Sequence, residues 1–137
     1  MKVMVIVKAN ADSEAGRMPN EQELSEMGTY NEQLVAAGIM LAGEGLHATS
    51  RGRRIQFGAG SPQVQAGPFG PPSEQIAGFW LWNVRSLDEA VEWASRAPFG
   101  AGGTLELRPL ISAEDFGEAF TPELQQQEQR LREQLAD

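Results

Sequence analysis

The feature that most constrains this chain is a proline-rich turn followed by its most aromatic segment. The turn, Gly67-Pro68-Phe69-Gly70-Pro71-Pro72, is rigid because each proline fixes its own φ angle. The segment from Gly78 to Val84 then reads as a strand, in which Trp80 and Trp82 share one side and Phe79 lies on the other. Both sides are at least partly apolar, which predicts a strand inside a sheet.

The elements before this strand build a sheet, and those after it close the sheet. In chain order we predict a strand over residues 2–8, a helix from Pro19 to Gly38, a strand over 39–46, a hairpin over 53–65, the aromatic strand over 78–84, a helix from Ser86 to the residues before Pro98, and a strand over 104–111. Two helices alternating with antiparallel strands are typical of a ferredoxin-like α+β fold, with the helices on one face of the sheet. The open face needs a cover, which a symmetric homodimer would supply.

Apolar residues at helical spacing predict which face of each helix packs on the sheet. The predicted inner face of the first helix comprises Leu24, Met27, Asn31, Leu34, Val35 and Gly38. The predicted inner face of the second helix comprises Leu87, Ala90, Val91 and Ala94, with Trp93 beside it. Residues 9–18 are polar and are predicted to form a loop.

Composition excludes several classes of function. The 137 residues include no cysteine and one histidine, so we expect no disulfide, no metal site and no thiol chemistry. The net charge of −8 argues against nucleic-acid binding, which needs a basic surface. The longest early apolar run, residues 3–7, is too short for a signal peptide or a membrane span, so we expect a cytoplasmic protein that does not bind membranes.

The last 26 residues are predicted to be an addition to a domain formed by residues 1–111. Residues 112–137 carry seven acids and two arginines, a net charge of −5, whereas residues 1–111 carry −3. Thr121 and Pro122 are suited to the start of a helix, but its apolar residues are few: Leu124, Leu131, Leu135 and Ala136. This helical extension is either a strap across the body or a partner, or a solvated tail.

Several motifs together resemble the YCII-related proteins of the DGPF group. They are Ala66-Gly-Pro-Phe69, Ile76-Ala-Gly-Phe-Trp-Leu-Trp82, Ser86-Leu-Asp-Glu-Ala-Val-Glu-Trp-Ala94, Gly43-Glu-Gly-Leu-His47 and Leu105-Glu-Leu-Arg-Pro109. The resemblance covers about residues 1–111. It implies a dimeric ferredoxin-like α+β barrel whose biochemical activity is largely unassigned. It also implies a site built on a histidine and the aspartate that begins the DGPF motif, a position occupied here by Ala66.

His47 and Glu44 are the candidate catalytic residues. A histidine titrates near neutral pH, and a carboxylate between two glycines could be desolvated and act as a base. Residues three apart in a strand face opposite sides, so pairing them requires a bulge at Gly43 or Gly45. The alternatives are a strand-end histidine bonded to backbone, and a glutamate paired with one of Arg51, Arg53, Arg54 or Arg108.

The candidate pocket residues are Pro68, Phe69, Trp80, Trp82 and Arg54. Trp80 and Trp82 could form the wall of an apolar ligand pocket, or pack in the core or a dimer interface. Arg54, with Arg51 and Arg53, could receive a carboxylate or phosphate, or form a solvated hairpin tip.

Two functions therefore remain open. The first is a small-molecule-binding or regulatory dimer with a degenerate family site, and the replacement of the motif aspartate by Ala66 favours it. The second is a small enzyme without metal or other cofactor, in which His47 and Glu44 perform acid–base chemistry on a small organic substrate.

Overall fold

A computed structural model describes residues 1–136 as a mixed α+β fold. Its strands are β1 (Lys2–Lys8), β2 (Met40–Gly45), β3 (Arg53–Gln56), β4 (Gln63–Ala66), β5 (Ile76–Asn83) and β6 (Leu105–Pro109). Its α-helices are α1 (Ala11–Glu14), α2 (Glu21–Ala36), α3 (Leu87–Ala94) and α4 (Pro122–Ala136). The predicted combination of an antiparallel sheet with helices is confirmed.

The main sheet has four strands in the order β2-β5-β1-β6, and every neighbouring pair is antiparallel. Because β5 lies between β1 and β2, helix α2 joins two parallel strands that flank a third. In the same way, α3 connects β5 to β6 around β1. The pair β3-β4 forms a separate two-stranded hairpin, and β6 lies at a sheet edge, as Pro109 predicted.

The core lies between the helices and one face of this sheet. Val3 and Val5 of β1 face Trp82 and Trp80 of β5 across the strand pair, and all four are buried. Tyr30 and Leu34 of α2 and Ala90 of α3 pack against them. By strand alternation, the other face of the sheet carries apolar side chains of β1 and β5 that are partly exposed.

The helix faces differ from the prediction in part. Leu34 is fully buried, but Leu24 and Val35 are 59% and 61% exposed. Tyr30, which the apolar spacing did not include, is buried instead, because its hydroxyl donates a hydrogen bond to the Trp93 carbonyl at 2.6 Å. An aromatic ring with a satisfied polar end can pack in a core as an aliphatic side chain does.

The second helix and the first loop also depart from the prediction. Ala90 is buried, whereas Leu87 and Val91 remain 38% and 50% exposed. The loop after β1 contains a short helix, α1, whose N-cap Asn10 accepts a hydrogen bond from the Ser13 N–H at 2.9 Å. This capping interaction forms within a polar stretch, so a search for apolar periodicity misses it.

The C-terminal residues form helices that bury none of their own side chains. A 3₁₀ segment at Ala113–Ala119 is kinked at Gly117, whose φ of 67° lies in the left-handed region. Helix α4 follows, and the Thr121 hydroxyl accepts a hydrogen bond from the Leu124 N–H at 3.3 Å, as its N-cap position predicted. A domain boundary at residue 111 stays a prediction. Within residues 1–136, no helix combines the length and hydropathy that crossing a bilayer requires.

Candidate functional site

A mostly apolar cavity of about 260 Å³ lies between α2 and the β2 edge of the sheet. Trp80 forms part of its wall, and Met27 and Asn31 of α2 and Phe99 of the loop after α3 complete it. The Trp80 and Phe99 rings meet edge to face, with their centroids 6.2 Å apart. The cavity therefore has an aromatic wall on one strand and a second aromatic ring, 38% exposed, on a loop.

Two glycines of β2, Gly43 and Gly45, line this cavity. A Cβ atom at Gly43 would lie 2.8 Å from Cδ1 of Trp80 and 2.9 Å from the Met40 methyl group, closer than real Cβ atoms approach. A Cβ at Gly45 would meet nothing within 4 Å. Gly43 thus permits the Trp80 ring to lie against the backbone of β2, which is the close approach that glycine in a strand often marks.

The polar groups of the cavity wall are arranged around Trp80. The Trp80 indole N–H donates a hydrogen bond to Oδ1 of Asn31 at 3.0 Å, which fixes both side chains. Tyr30 meets Trp80 edge to face at 5.8 Å, and burial raises the pKa of Tyr30 to about 12. Tyr30 therefore remains a neutral hydrogen-bond donor at neutral pH and acts as support for the wall.

Glu44 and His47 do not form a pair. Glu44 is exposed and borders the cavity, and by strand alternation its side chain points to the sheet face away from the helices. His47 follows the end of β2, and both of its ring nitrogens lie 3.2 Å from Nη1 of Arg51. Among residues 1–136, no carboxylate forms an ion pair with His47.

The irregularity that could have brought the two together lies elsewhere. The register of β2 against β5 shifts between Met40 and Ala42, so the extra residue is Leu41. Gly43, Glu44 and Gly45 then continue in regular pairing with β5. The predicted bulge at Gly43 or Gly45 is therefore wrong, because the irregularity of β2 lies before both glycines.

A second group of the candidate residues lies at the base of the β3-β4 hairpin. The Arg54 guanidinium lies 4.2 Å from the centroid of the Phe69 ring. It also donates to the Phe69 carbonyl at 3.4 Å and to Oε1 of Gln75 at 3.5 Å. Gln75 is 95% buried in the segment before β5. The stacked arginine therefore links the hairpin to this buried segment. Pro68, between Gly67 and Phe69, follows a cis peptide bond in the same turn.

The remaining predicted positions lie away from the cavity. Trp82 is fully buried in the core between sheet and helices and does not line the cavity. Ala66, at the end of β4, pairs with Arg53 across the hairpin and is exposed. The structure therefore divides the candidate residues into a cavity group with Trp80 and Glu44, a hairpin group with Arg54, Phe69 and Pro68, and His47 beside Arg51.

The sequence prediction missed Phe99 and Met27 as wall residues. Met27 was expected on the inner face of the helix, but nothing in its spacing distinguishes a cavity wall from the core. Phe99 follows Pro98 in a glycine-rich loop, and an aromatic residue in such a loop is the signal that could have found it.

Other parts of the described chain offer less chemistry. A more polar cavity of about 370 Å³ lies where β1 ends, between Lys8, Ser73 and the Gly102–Thr104 loop. It contains none of the candidate residues. Within residues 1–136, no group of three or more histidine, cysteine, aspartate or glutamate side chains is arranged to hold a metal ion.

Comparison with known proteins identifies the family. The family model of the YCII-related domain matches residues 1–114, which is most of the chain. The chain therefore belongs to the YCII-related family, which confirms the resemblance seen in its motifs. An uncharacterised protein of Rhizobium meliloti (strain 1021) is 30% identical over 93 residues, 66% of this chain and 75% of the relative.

Among solved structures, the chain is similar to a 5-chloro-2-hydroxyhydroquinone dehydrochlorinase from Burkholderia phenoliruptrix AC1100, determined in complex with 2,5-dihydroxybenzoquinone. The two chains share 19% sequence identity and superpose with a TM-score of 0.43. The match covers 82% of this chain and 96% of the dehydrochlorinase.

Proposed function

We propose that this YCII-family protein is a homodimeric small-molecule-binding or regulatory protein whose ligand occupies the cavity beside Trp80. The observation that carries the proposal is the cavity of about 260 Å³, whose uncharged polar groups are the Asn31 amide and the Trp80 indole. Ligand sites usually measure roughly 300–1,000 Å³, so this one suits a small ligand. A single apolar or aromatic ring with one hydrogen-bonding group fits it best.

The arrangement of the family's site residues supports binding over catalysis. Ala66 replaces the motif aspartate, and a methyl group neither accepts a proton nor orients an imidazole. His47 has the cationic Arg51 as its neighbour, and no carboxylate of residues 1–136 forms an ion pair with the imidazole. Because a general base needs a partner within hydrogen-bond reach of the reacting proton, this geometry favours a degenerate site.

The open sheet face supports the dimer. Met4 and Ile6 of β1 pair with Leu81 and Phe79 of β5, and these side chains point away from the helices. All four remain partly exposed. Packing two such faces against each other would bury them and give the ferredoxin-like dimeric α+β barrel that the resemblance implies.

The binding proposal can be tested by nuclear magnetic resonance titration with phenol and with benzoate, two single-ring probes. We expect saturable shifts of the Trp80 indole N–H and the Gly43 amide, with little change at the Trp82 indole. The variant Gly43→Ala places a methyl group against the Trp80 ring and should weaken binding about tenfold, a loss of about 1.4 kcal/mol. Gly28→Ala on α2, where an added Cβ meets nothing within 4 Å and which does not line the cavity, is the matched control.

Failure of every probe to shift the Trp80 indole at millimolar concentration would count against the binding proposal. The dimer is tested separately by sedimentation, which should give twice the 14.9 kDa chain mass. Leu81→Asp on the open face should shift this mass toward that of one chain. Leu24→Asp, on an exposed position of α2, is the control that should leave it unchanged.

The enzyme alternative rests on one observation, that Glu44 borders the same cavity. It requires a rearrangement that brings Glu44 to His47. The chain has a single histidine, so the imidazole titration of His47 can be followed without ambiguity. A His47 pKa that changes in Glu44→Gln would favour the enzyme, and an unchanged pKa would favour the binding protein.

A further inference from the structure

The β3-β4 hairpin has an apolar face that none of residues 1–136 covers. Ile55 of β3 pairs with Val64 of β4, and these side chains are 58% and 67% exposed. Phe57, two residues after Ile55 and on the same side by alternation, is 79% exposed. Arg54 lies on the opposite side, where it stacks on Phe69, so the apolar side is turned away from the body.

The segment that carries this face is basic. Residues 45–73 contain Arg51, Arg53 and Arg54 and no aspartate or glutamate, within a chain whose net charge is −8. Among residues 1–136, none of these three arginines forms an ion pair with a carboxylate. By strand alternation Arg53 lies on the side of Ile55 and Val64, and an unpaired arginine beside apolar side chains suits an acidic, partly apolar partner.

The C-terminal segment of the chain has that composition. Residues 112–136 carry six acids and two arginines, a net charge of −4. Leu124 and Leu131 are seven residues apart on α4, so they share one side of the helix, and they are 46% and 53% exposed. Phe116, which precedes α4 and contacts Phe120 edge to face, is 53% exposed.

Neither element is expected to be stable without a cover. A two-stranded hairpin alone is marginal in water, and so is a helix of about 15 residues without a packing partner. The structure therefore holds two unpartnered apolar faces of opposite charge on one chain. Neither packs on the body that carries it, and a second copy would present the complement of each.

We propose that residues 112–136 of one copy dock on the apolar, basic face of the β3-β4 hairpin of a second copy, and reciprocally. A two-fold dimer makes such an exchange twice, because each copy offers both surfaces. The docking rests on the dimer of the proposed function and adds to it a second contact, remote from the open sheet face. It assigns the C-terminal extension the role of a strap across the partner.

Intermolecular spin labelling tests this docking in the full chain. The chain has no cysteine, so Gln126→Cys gives one labelling position. Gln126 is two residues after Leu124, about 200° around the helix, so a nitroxide there leaves the apolar side free. Chain carrying the nitroxide but no ¹⁵N is mixed and equilibrated with ¹⁵N-labelled chain that has no nitroxide. The amide signals of Ile55 and Val64 in the ¹⁵N-labelled chain should then lose intensity.

A second sample separates docking within one chain from docking between two. Chain that carries both the nitroxide and ¹⁵N is diluted into excess chain that carries neither. Each doubly labelled copy then has an unlabelled partner, so any broadening of the hairpin signals arises within one copy. Broadening of the hairpin in this sample alone would overturn the proposal, because the tail would then lie on its own hairpin. A dimeric mass with no hairpin broadening in the mixed sample would overturn the docking and leave the dimer. A monomeric mass would overturn both.

Variants at exposed positions give a second measurement with little risk to folding. Leu131→Asp and Arg53→Glu should each raise the dimer dissociation constant about tenfold, which corresponds to about 1.4 kcal/mol. Glu21→Arg, at the start of α2 and away from both surfaces, is the charge control and should leave the constant unchanged. A change of similar size but opposite direction for Glu21→Arg, which alters the net charge in the opposite sense to Arg53→Glu, would show that net charge, rather than docking, controls the association.

Discussion

The molecule has two kinds of region. The sheet with α2 and α3 is here called the body, and the β3-β4 hairpin and residues 112–136 are the two appended segments. Both contain apolar side chains at regular spacing, but they differ in whether those side chains are buried. In the body, Val3, Val5, Leu34 and Trp82 are fully buried. In the appended segments no described side chain is buried, although Ile55, Val64 and Leu131 are as apolar. The same alternation or helical spacing thus predicts an apolar face in both regions, and only the body covers that face within one chain.

The comparison shows which region contributes most to the free energy of unfolding and which region leaves apolar surface accessible. The body brings its apolar groups together across strand pairs and helices, so each loss there leaves a cavity in a packed interior. The appended segments keep their apolar groups accessible, where they are available to a partner. Substitutions of similar chemistry should therefore separate the two regions by size of effect.

The largest difference is expected between Trp82 and Leu135. Trp82→Ala removes a fully buried ring and should lower the free energy of unfolding by about 3–5 kcal/mol. Leu135 of α4 is 84% exposed, and Leu135→Ala should change this free energy by less than about 0.5 kcal/mol. Urea unfolding at one fixed protein concentration measures both. Similar shifts of the two midpoints would show that α4 is part of the cooperative core.

The body was the more predictable region because its signals are local and consistent. The strand pattern of residues 76–83 and the caps Ser86 and Thr121 follow from side-chain alternation and from hydrogen bonds within one turn. Burial was less predictable. Leu24 and Val35 have the right spacing, but the stripe that spacing defines is wider than the strip of α2 that meets the sheet.

The site was less predictable than the fold because it depends on contacts between distant segments. Trp80 was a candidate from the strand, but its partners Asn31 and Phe99 come from α2 and from a loop. The separation of His47 from Glu44 likewise depends on where the register shifts, at Leu41, and on the position of Arg51. No spacing rule for a single strand contains that information.

A sharper version of the comparison uses two glycines of one strand. Gly43→Ala forces a methyl group against Trp80 and should lower the free energy of unfolding by about 1–3 kcal/mol, because the packed wall must shift. Gly45→Ala meets open space and should leave it unchanged or raise it by up to about 1 kcal/mol. Urea unfolding again provides the measurement. Equal destabilisation would mean that backbone conformation, rather than the Trp80 contact, selects glycine in β2.

A pH-dependent test follows from Tyr30, which ties α2 to α3 through its bond to the Trp93 carbonyl. Burial raises its pKa from 10.0 to about 12, so the folded chain keeps a proton that the unfolded chain releases first. Stability from this group is therefore complete below pH 10 and is lost as pH rises toward 12. Tyr30→Phe should remove this part of the pH dependence while leaving the contribution of other groups.

Tyr30 is the chain's single tyrosine, so phenolate absorbance reports its titration directly. The folded chain should ionise at a higher pH than the urea-unfolded chain. Coincident titration curves in the two states would contradict the burial of this hydroxyl. They would also argue against the Tyr30 hydrogen bond that holds α2 to α3 within the body.

The smallest effects are expected at the two helix caps, where the same chemistry occurs in both regions. Ser86 caps α3 by accepting the Glu89 N–H at 3.1 Å, and Ser86→Ala should lower the free energy of unfolding by about 1 kcal/mol. Thr121→Ala removes the equivalent bond from α4, so in dilute chain it should reduce helicity while changing global stability by less than about 0.5 kcal/mol. The loss in free energy of unfolding caused by Thr121→Ala should rise with protein concentration, since a second copy then covers α4. Circular dichroism and urea unfolding over a concentration series measure both quantities. A cost for Thr121→Ala that equals that of Ser86→Ala in dilute chain would place α4 in the body and end the distinction between the two regions.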